Sequence, residues 1–151
     1  MIYIGIDPDT EKSGMAIFSE GITSLHNFGY MKLFESLQNL AKHKDKYSIT
    51  VVIEKGELNK AIFTASKPRF KVKNITAYSA KRGADIGRNF EATNIIEKFC
   101  IYLNLDYEFF VPNKATPKFN NNFVQSNFDV NVKRTNEEQR DALRCIMKYI
   151  L

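Results

Sequence analysis

Residues Ile4 to Phe18 read IGIDPDTEKSGMAIF. From Met1 to Asp7 apolar and β-branched residues alternate, the pattern of a strand, and the strand ends on an acid. Pro8 and the polar run through Ser13 and Gly14 make a turn. Gly14–Ser19 and Ile22–Phe28 are two further strands separated by Glu20-Gly21, so the chain opens with an antiparallel meander. Outward from this start, Tyr30, Leu33, Phe34, Leu37, Leu40 and Ala41 recur at helical spacing and predict a helix over 31–43. Ile49–Glu54 (ITVVIE) is nearly all apolar, as expected of a strand covered on both faces, and it too ends in an acid. A helix is predicted over 83–103 and a fifth strand over 107–111, stopped by Pro112. Asn120–Asn127 has room for a short helix, and a last helix opens at Thr135. The order βββ-α-β-α-β-α places helices on a mixed five-stranded sheet, an α/β fold in one domain spanning 1–151.

The 151 residues carry 44% hydrophobic and 26% charged side chains, which excludes a disordered or collagen-like chain. No apolar run is long enough for a membrane span, and Met1–Asp7 has no charged region ahead of an apolar one, so neither a membrane partner nor a secretory signal is expected. Cys100 and Cys145 fall in apolar helical patterns and read as buried reduced thiols of a cytoplasmic protein. His26 and His43 lie in no metal-ligand spacing.

Formal charge is +5, and its distribution says more than its sum. From Lys60 to Arg88 there are eight basic residues (Lys60, Lys67, Arg69, Lys71, Lys73, Lys81, Arg82 and Arg88) against the single acid Asp85. Phe63, Phe70 and Tyr78 are interleaved with them. Cations with aromatics suit a phosphate backbone with partly exposed bases. A solvated lysine-rich loop is the competing reading. The stretch Lys55–Ser79 is too long for a passive connection and is read as a functional loop.

Four acids stand out by position. Asp7 and Glu54 end two apolar strands; if those strands are neighbours, the two carboxylates sit side by side at one sheet edge. Glu138 and Asp141, three residues apart, share a face of the last helix, which could cross that edge. Carboxylates gathered this way repel unless cations neutralise them, and hard divalent ions with oxygen ligands, Mg²⁺ foremost, are the natural solution. Two such ions could activate a water and stabilise the leaving oxygen of a phosphodiester. Each acid also has a structural reading: Asp7 as a turn former, Glu138 as partner of Thr135 in a capping box, Asp141 as half of an ion pair. Glu137 is a second candidate for the task of Glu138.

These motifs resemble those of the RuvC-type Holliday junction resolvases of the RNase H-like superfamily. Ile4–Phe18 is similar to the family's first motif and Val51–Gly56 (VVIEKG) to its second. Glu137–Ile146 (EEQRDALRCI) is similar to the closing motif, and Gly83–Phe99 to its long helix. The resemblance implies an RNase H-like fold and a Mg²⁺-dependent endodeoxyribonuclease (Mn²⁺ substituting) that resolves four-way DNA junctions as a homodimer. It implies that Asp7, Glu54, Glu138 and Asp141 hold two ions, that cleavage leaves 5′-phosphate and 3′-hydroxyl ends, and that Lys118 matches a family lysine near the scissile phosphate. Where the family places a junction-wedging aromatic this chain has Glu57, which leaves Phe63 or Phe70 as a replacement. The longer loop and the Asn-rich run from Asn120 depart from the pattern and suit a bacteriophage or other viral version, in a bacterial or virus-infected cell. Dimerisation is assigned to the helix over 83–103, whose Ile86, Phe90, Ile101 and Tyr102 exceed one apolar stripe; packing under the Lys55–Ser79 loop is the alternative. Two other functions stay open: a YqgF-like nuclease acting on RNA, and a nucleic-acid-binding protein of this fold without chemistry.

Overall fold

A computed structural model describes residues 1–56, 75–113 and 115–151, without the side chains of residues 75–80, 82, 83, 85 and 86. Strands β1 (Ile2–Asp7), β2 (Ser13–Ser19) and β3 (Ile22–Phe28) form the expected antiparallel meander. Glu20 and Gly21 both adopt positive φ (53° and 85°), the two-residue hairpin loop whose twist matches the strands it joins. Helix α1 (Tyr30–Ala41) leads to β4 (Ile49–Glu54), which pairs in parallel with β1. Helix α2 (Ile75–Tyr102) leads to β5 (Asp106–Phe110), parallel to β4. Helix α3 (Asn121–Asn127), strand β6 (Asp129–Val130), and helices α4 (Glu137–Cys145) and α5 (Met147–Ile150) complete the chain. The strand order is β5-β4-β1-β2-β3-β6. This is a mixed sheet, an antiparallel meander extended by parallel strands, as the α/β reading expected.

Strand alternation divides the core in two. Ile2, Ile4 and Ile6 of β1 and Ile49, Val51 and Ile53 of β4 pack with Leu33 and Leu37 of α1 and Ile96 and Cys100 of α2. On the opposite face Ala16, Leu25 and Val52 pack with Ala142, Leu143, Cys145 and Ile146 of the C-terminal segment.

Four sequence expectations are corrected. The sheet has six strands: β6 has only two residues, too few for a periodicity signal, and the Asn131 side chain prolongs its pairing by accepting from Leu25 N–H (2.7 Å) and donating to Leu25 C=O (3.2 Å). The long helix begins at Ile75 rather than Gly83, so Gly83 and Gly87 lie inside it; a Cβ on Gly87 would meet nothing within 4 Å, so that glycine marks an open helix surface, not a helix start. The last helix is capped by Asn136, not Thr135, whose hydroxyl instead donates to Asn121 Oδ1 at 3.0 Å. That helix does not run unbroken to the C-terminus: it ends at Cys145, because Ile146 is pinned against the sheet beside Gly5 while the following turn tips to stack Tyr149 on Tyr3 (ring centroids 4.4 Å apart).

Candidate functional site

Alternation along the strands decides where the two strand-end acids point. In β1 the even-numbered residues face α1 and α2, so Gly5 and Asp7 face α4; in β4 the odd-numbered residues face α1 and α2, so Val52 and Glu54 face α4. The β1–β4 register pairs Ile6 with Ile53, which brings Asp7 and Glu54 level at the carboxyl ends of adjacent parallel strands.

Helix α4 reaches them because the sheet is bare at two points beneath it, Gly5 and Gly14. A Cβ on Gly5 would fall 2.0 Å from the Ala142 carbonyl oxygen, and one on Gly14 would fall 2.0 Å from the Glu138 carbonyl oxygen. Backbone therefore rests on backbone, and Glu138 and Asp141 come down beside Asp7. The helix start is fixed by a capping box in which Asn136 Oδ1 accepts from Gln139 N–H (2.9 Å) and Asn136 N–H donates to Gln139 Oε1 (3.1 Å). That box lies one residue beyond the one expected from Thr135, and it releases Glu138 from any capping duty.

The electrostatics follow from this gathering. Burial pushes the Asp7 carboxyl up to about 8, and Glu54, Asp141, Glu138 and Asp9 reinforce the shift in that order. Among the described residues Asp7 has no ion pair and no side-chain hydrogen bond. Burial also raises Glu54, against the pull of Arg144. Arg144, only 4% exposed, extends Nη2 to 3.5 Å from Glu54 Oε2 and Nη1 to 3.6 Å from Asp141 Oδ1. Its guanidinium carbon lies 5.6 Å from the centre of the Phe110 ring, and its Nε is buried with no partner among the described residues. Lys118 Nζ sits 2.6 Å from Glu137 Oε1 and 3.6 Å from Asp141 Oδ2; the bond to Glu137 raises the lysine and lowers the glutamate. Asp141 thus has the ion-pair partners that its structural reading asked for, and it also has a place beside Asp7.

The other acids fall in two separate clefts. Glu54, Lys118, Asp141 and Arg144 line one, together with Pro112 and Asn113; Glu138 lines the other, with Asp9, Lys12 and Asn27. Accordingly no three acidic, histidine or cysteine side chains among the described residues converge on one point. The donor set nevertheless fits a hard divalent cation: the unpaired Asp7 carboxylate is half-buried among three further carboxylates, all of them oxygen donors. Cys145, the nearest soft ligand, is committed elsewhere. Its buried thiol donates to the Asp141 carbonyl (3.2 Å) and burial holds it protonated.

Of the basic segment, Lys81 and Arg88 are exposed on α2, and Arg88 lines a cleft with Asp9, Thr10, Glu11 and Asn89 beside the β1–β2 turn. Lys60, Phe63, Lys67, Arg69, Phe70, Lys71 and Lys73 lie outside the described residues, as does the Arg82 side chain. Sequence reasoning missed Arg144, although a base three residues after Asp141 on one helix was its signal. It also missed the Asn136–Gln139 cap and the two glycines under α4.

No family model matches this sequence, and no curated protein does. Among solved structures the chain is similar to Thermus thermophilus RuvC in complex with Holliday junction substrate (10% identity, TM-score 0.48, covering 96% of this chain and 89% of that one). It is similar also to a Thermus thermophilus RuvC structure at 10% identity and TM-score 0.47, covering 96% of this chain and 90% of that one.

Proposed function

We propose that this chain is a divalent-metal-dependent endodeoxyribonuclease that cuts four-way DNA junctions. One observation carries the reading: a strand-end aspartate, without a counter-charge of its own, is ringed by carboxylates from a parallel neighbour strand and from a helix laid directly on the sheet. Ionising Asp7 there works against folding, because its charge is buried beside like charges with no ion pair of its own, and a bound cation would relieve that cost. Asp7, Glu54, Asp141 and Glu138 would hold Mg²⁺, with Mn²⁺ as substitute. A bound ion would supply an activated water and charge stabilisation at the leaving oxygen of a phosphodiester. On the chain's side, Asp7 gives up the proton it holds below about pH 8 to become a ligand. Lys118, which lines the cleft with Glu54 and Asp141, would exchange its carboxylate contacts for the scissile phosphate. The segment from Lys60 to Arg88 would follow the DNA backbone, and Phe63 or Phe70 would wedge the junction.

Two symmetric cuts need two sites facing opposite ways, which a two-fold homodimer supplies. Ile101 and Tyr102 at the end of α2 are 60% and 78% exposed and remain candidates for its interface. Sedimentation with and without junction DNA reads the oligomeric state directly.

The test of the reading is a nicking assay on synthetic four-way junctions, flaps and duplex RNA with Mg²⁺. Paired symmetric nicks confined to the four-way substrate are expected. Cutting of RNA alone would transfer the chain to the YqgF-like reading, and binding without cutting would leave a non-catalytic protein.

A further inference from the structure

We infer that Arg144 is a resident cation of this acid cluster, standing where a second divalent ion would otherwise be held, so that the site loads one ion at Asp7. The inference rests on the metal-dependent reading above and departs from the two ions expected from sequence.

The guanidinium reaches two carboxylates that come from different elements, Glu54 at the end of β4 and Asp141 on α4, through two different nitrogens at 3.5 and 3.6 Å. The two are the acids that line one cleft, where a second ion would need their oxygens. An ion and a guanidinium held by the same pair repel each other, and the second oxygen of Asp141 already faces Lys118 at 3.6 Å. Arginine cannot yield by losing its proton, because its pKa lies far above any working pH. Nor is it placed to swing away: the side chain is 4% exposed and sits against the Phe110 ring. Its Nε, buried without a partner among the described residues, indicates that the two carboxylates and the ring, rather than a full set of hydrogen bonds, keep it there. Asp7 differs in every respect, since it has neither ion pair nor side-chain hydrogen bond among the described residues. It remains the anchor open to an ion. Arg144 is in these terms a positioning residue: it sets the spacing of Glu54 and Asp141 and the number of ions they accept.

The experiment counts Mn²⁺ bound by the full chain, by calorimetry and by electron paramagnetic resonance, with Asp7→Asn as the reference for ions bound elsewhere. The wild type is expected to bind one Asp7-dependent ion with the spectrum of isolated Mn²⁺. Arg144→Met is expected to bind two, with the exchange-coupled spectrum of a neighbouring pair, and Arg144→Lys, which keeps the charge, one. Two Asp7-dependent ions in the wild type would overturn the inference and leave the nuclease reading standing. A folded Arg144→Met that still binds one would do the same. No Asp7-dependent ion in the wild type, together with no cleavage, would remove the nuclease reading and this inference with it. The wild-type count decides even if Arg144→Met fails to fold.

Discussion

The two faces of the sheet are built on different rules. Toward α1 and α2, β1 and β4 present Ile2, Ile4, Ile6, Ile49, Val51 and Ile53, and the helices are held off by a full layer of aliphatic side chains. Toward α4, the same region of sheet presents Gly5 and Gly14, where the helix backbone comes down until no Cβ would fit, beside a thinner layer that includes Ala16 and Val52. A thick layer tolerates exchange of one aliphatic for another, because volume can be redistributed among neighbours. A bare one tolerates nothing added. The difference assigns stability to one face and the alignment of the acids to the other.

The largest expected effect separates those assignments. Leu37→Ala on the thick face and Gly5→Val on the bare face should each cost about 3 kcal/mol, one by leaving a cavity and one by overpacking. At a temperature where both remain folded by circular dichroism, Leu37→Ala should retain cleavage and Gly5→Val should lose it. Equal activity losses would erase the distinction between the faces.

Next in size is the pH dependence that Asp7 imposes. Its carboxyl titrates at about 8 in the folded protein against an ordinary 3.8, so between those values the folded chain holds a proton that the unfolded chain has released. The contribution of Asp7 to stability is then complete below about pH 4 and falls as pH rises toward 8, by a few kcal/mol at most. Urea melts of metal-free protein should show this decline, and Asp7→Asn should flatten it while abolishing cleavage. Divalent ions should recover the lost stability at pH 8 in the wild type alone. A flat wild-type profile would mean that burial and the neighbouring acids do not hold the Asp7 carboxyl protonated.

Smaller again is the cap. Asn136→Ala should cost about 1 kcal/mol, because Asn136 closes the first turn of α4. Glu138→Gln, one turn from Asp141 and free of the cap, should leave the melting temperature unchanged and lose cleavage. If Glu138→Gln keeps cleavage as well as stability, Glu138 has no metal role and the capping reading from Thr135 stands, because glutamine completes a capping box as glutamate does.

The smallest effect belongs to Glu137. Its bond to Lys118 is exposed at both ends, so Glu137→Gln should change stability by less than about 0.5 kcal/mol in a thermal melt.

The sequence made the bare face harder to read than the thick one, for a physical reason. Aliphatic alternation announces a buried strand, and an acid at the end of such a run is conspicuous, so the strand-end positions of Asp7 and Glu54 were legible. The glycines that let α4 approach carry no pattern of their own; Gly5 and Gly14 read as ordinary members of a strand and a turn. Thr135-x-x-Glu138 and Asn136-x-x-Gln139 are both grammatical capping boxes one residue apart, and only the hydrogen bonds choose between them. The start of α2 was misplaced because Gly83 looks like punctuation; Gly87, on an open helix surface, shows that a glycine inside this helix costs propensity and nothing more. Arg144 was passed over because a base on a short C-terminal helix ordinarily belongs to solvent. Its burial depends on Glu54, ninety residues earlier, which no local window contains.

The backbone contact between α4 and the sheet also bears on how this protein could change over generations. Most cores drift by small exchanges of volume, each absorbed by a neighbouring rotamer. Here the gauge between Asp7 and the helical acids is set by main chain against main chain, and main chain has no rotamers to absorb anything. Substitutions elsewhere can soften or harden the molecule, but they cannot retune the distance between the two sets of carboxylates by gradual steps. A lineage wanting a wider or narrower setting would have to shift the register of the helix by a whole residue, and a shift of that kind would exchange Glu138 for Glu137 or Gln139 in a single move.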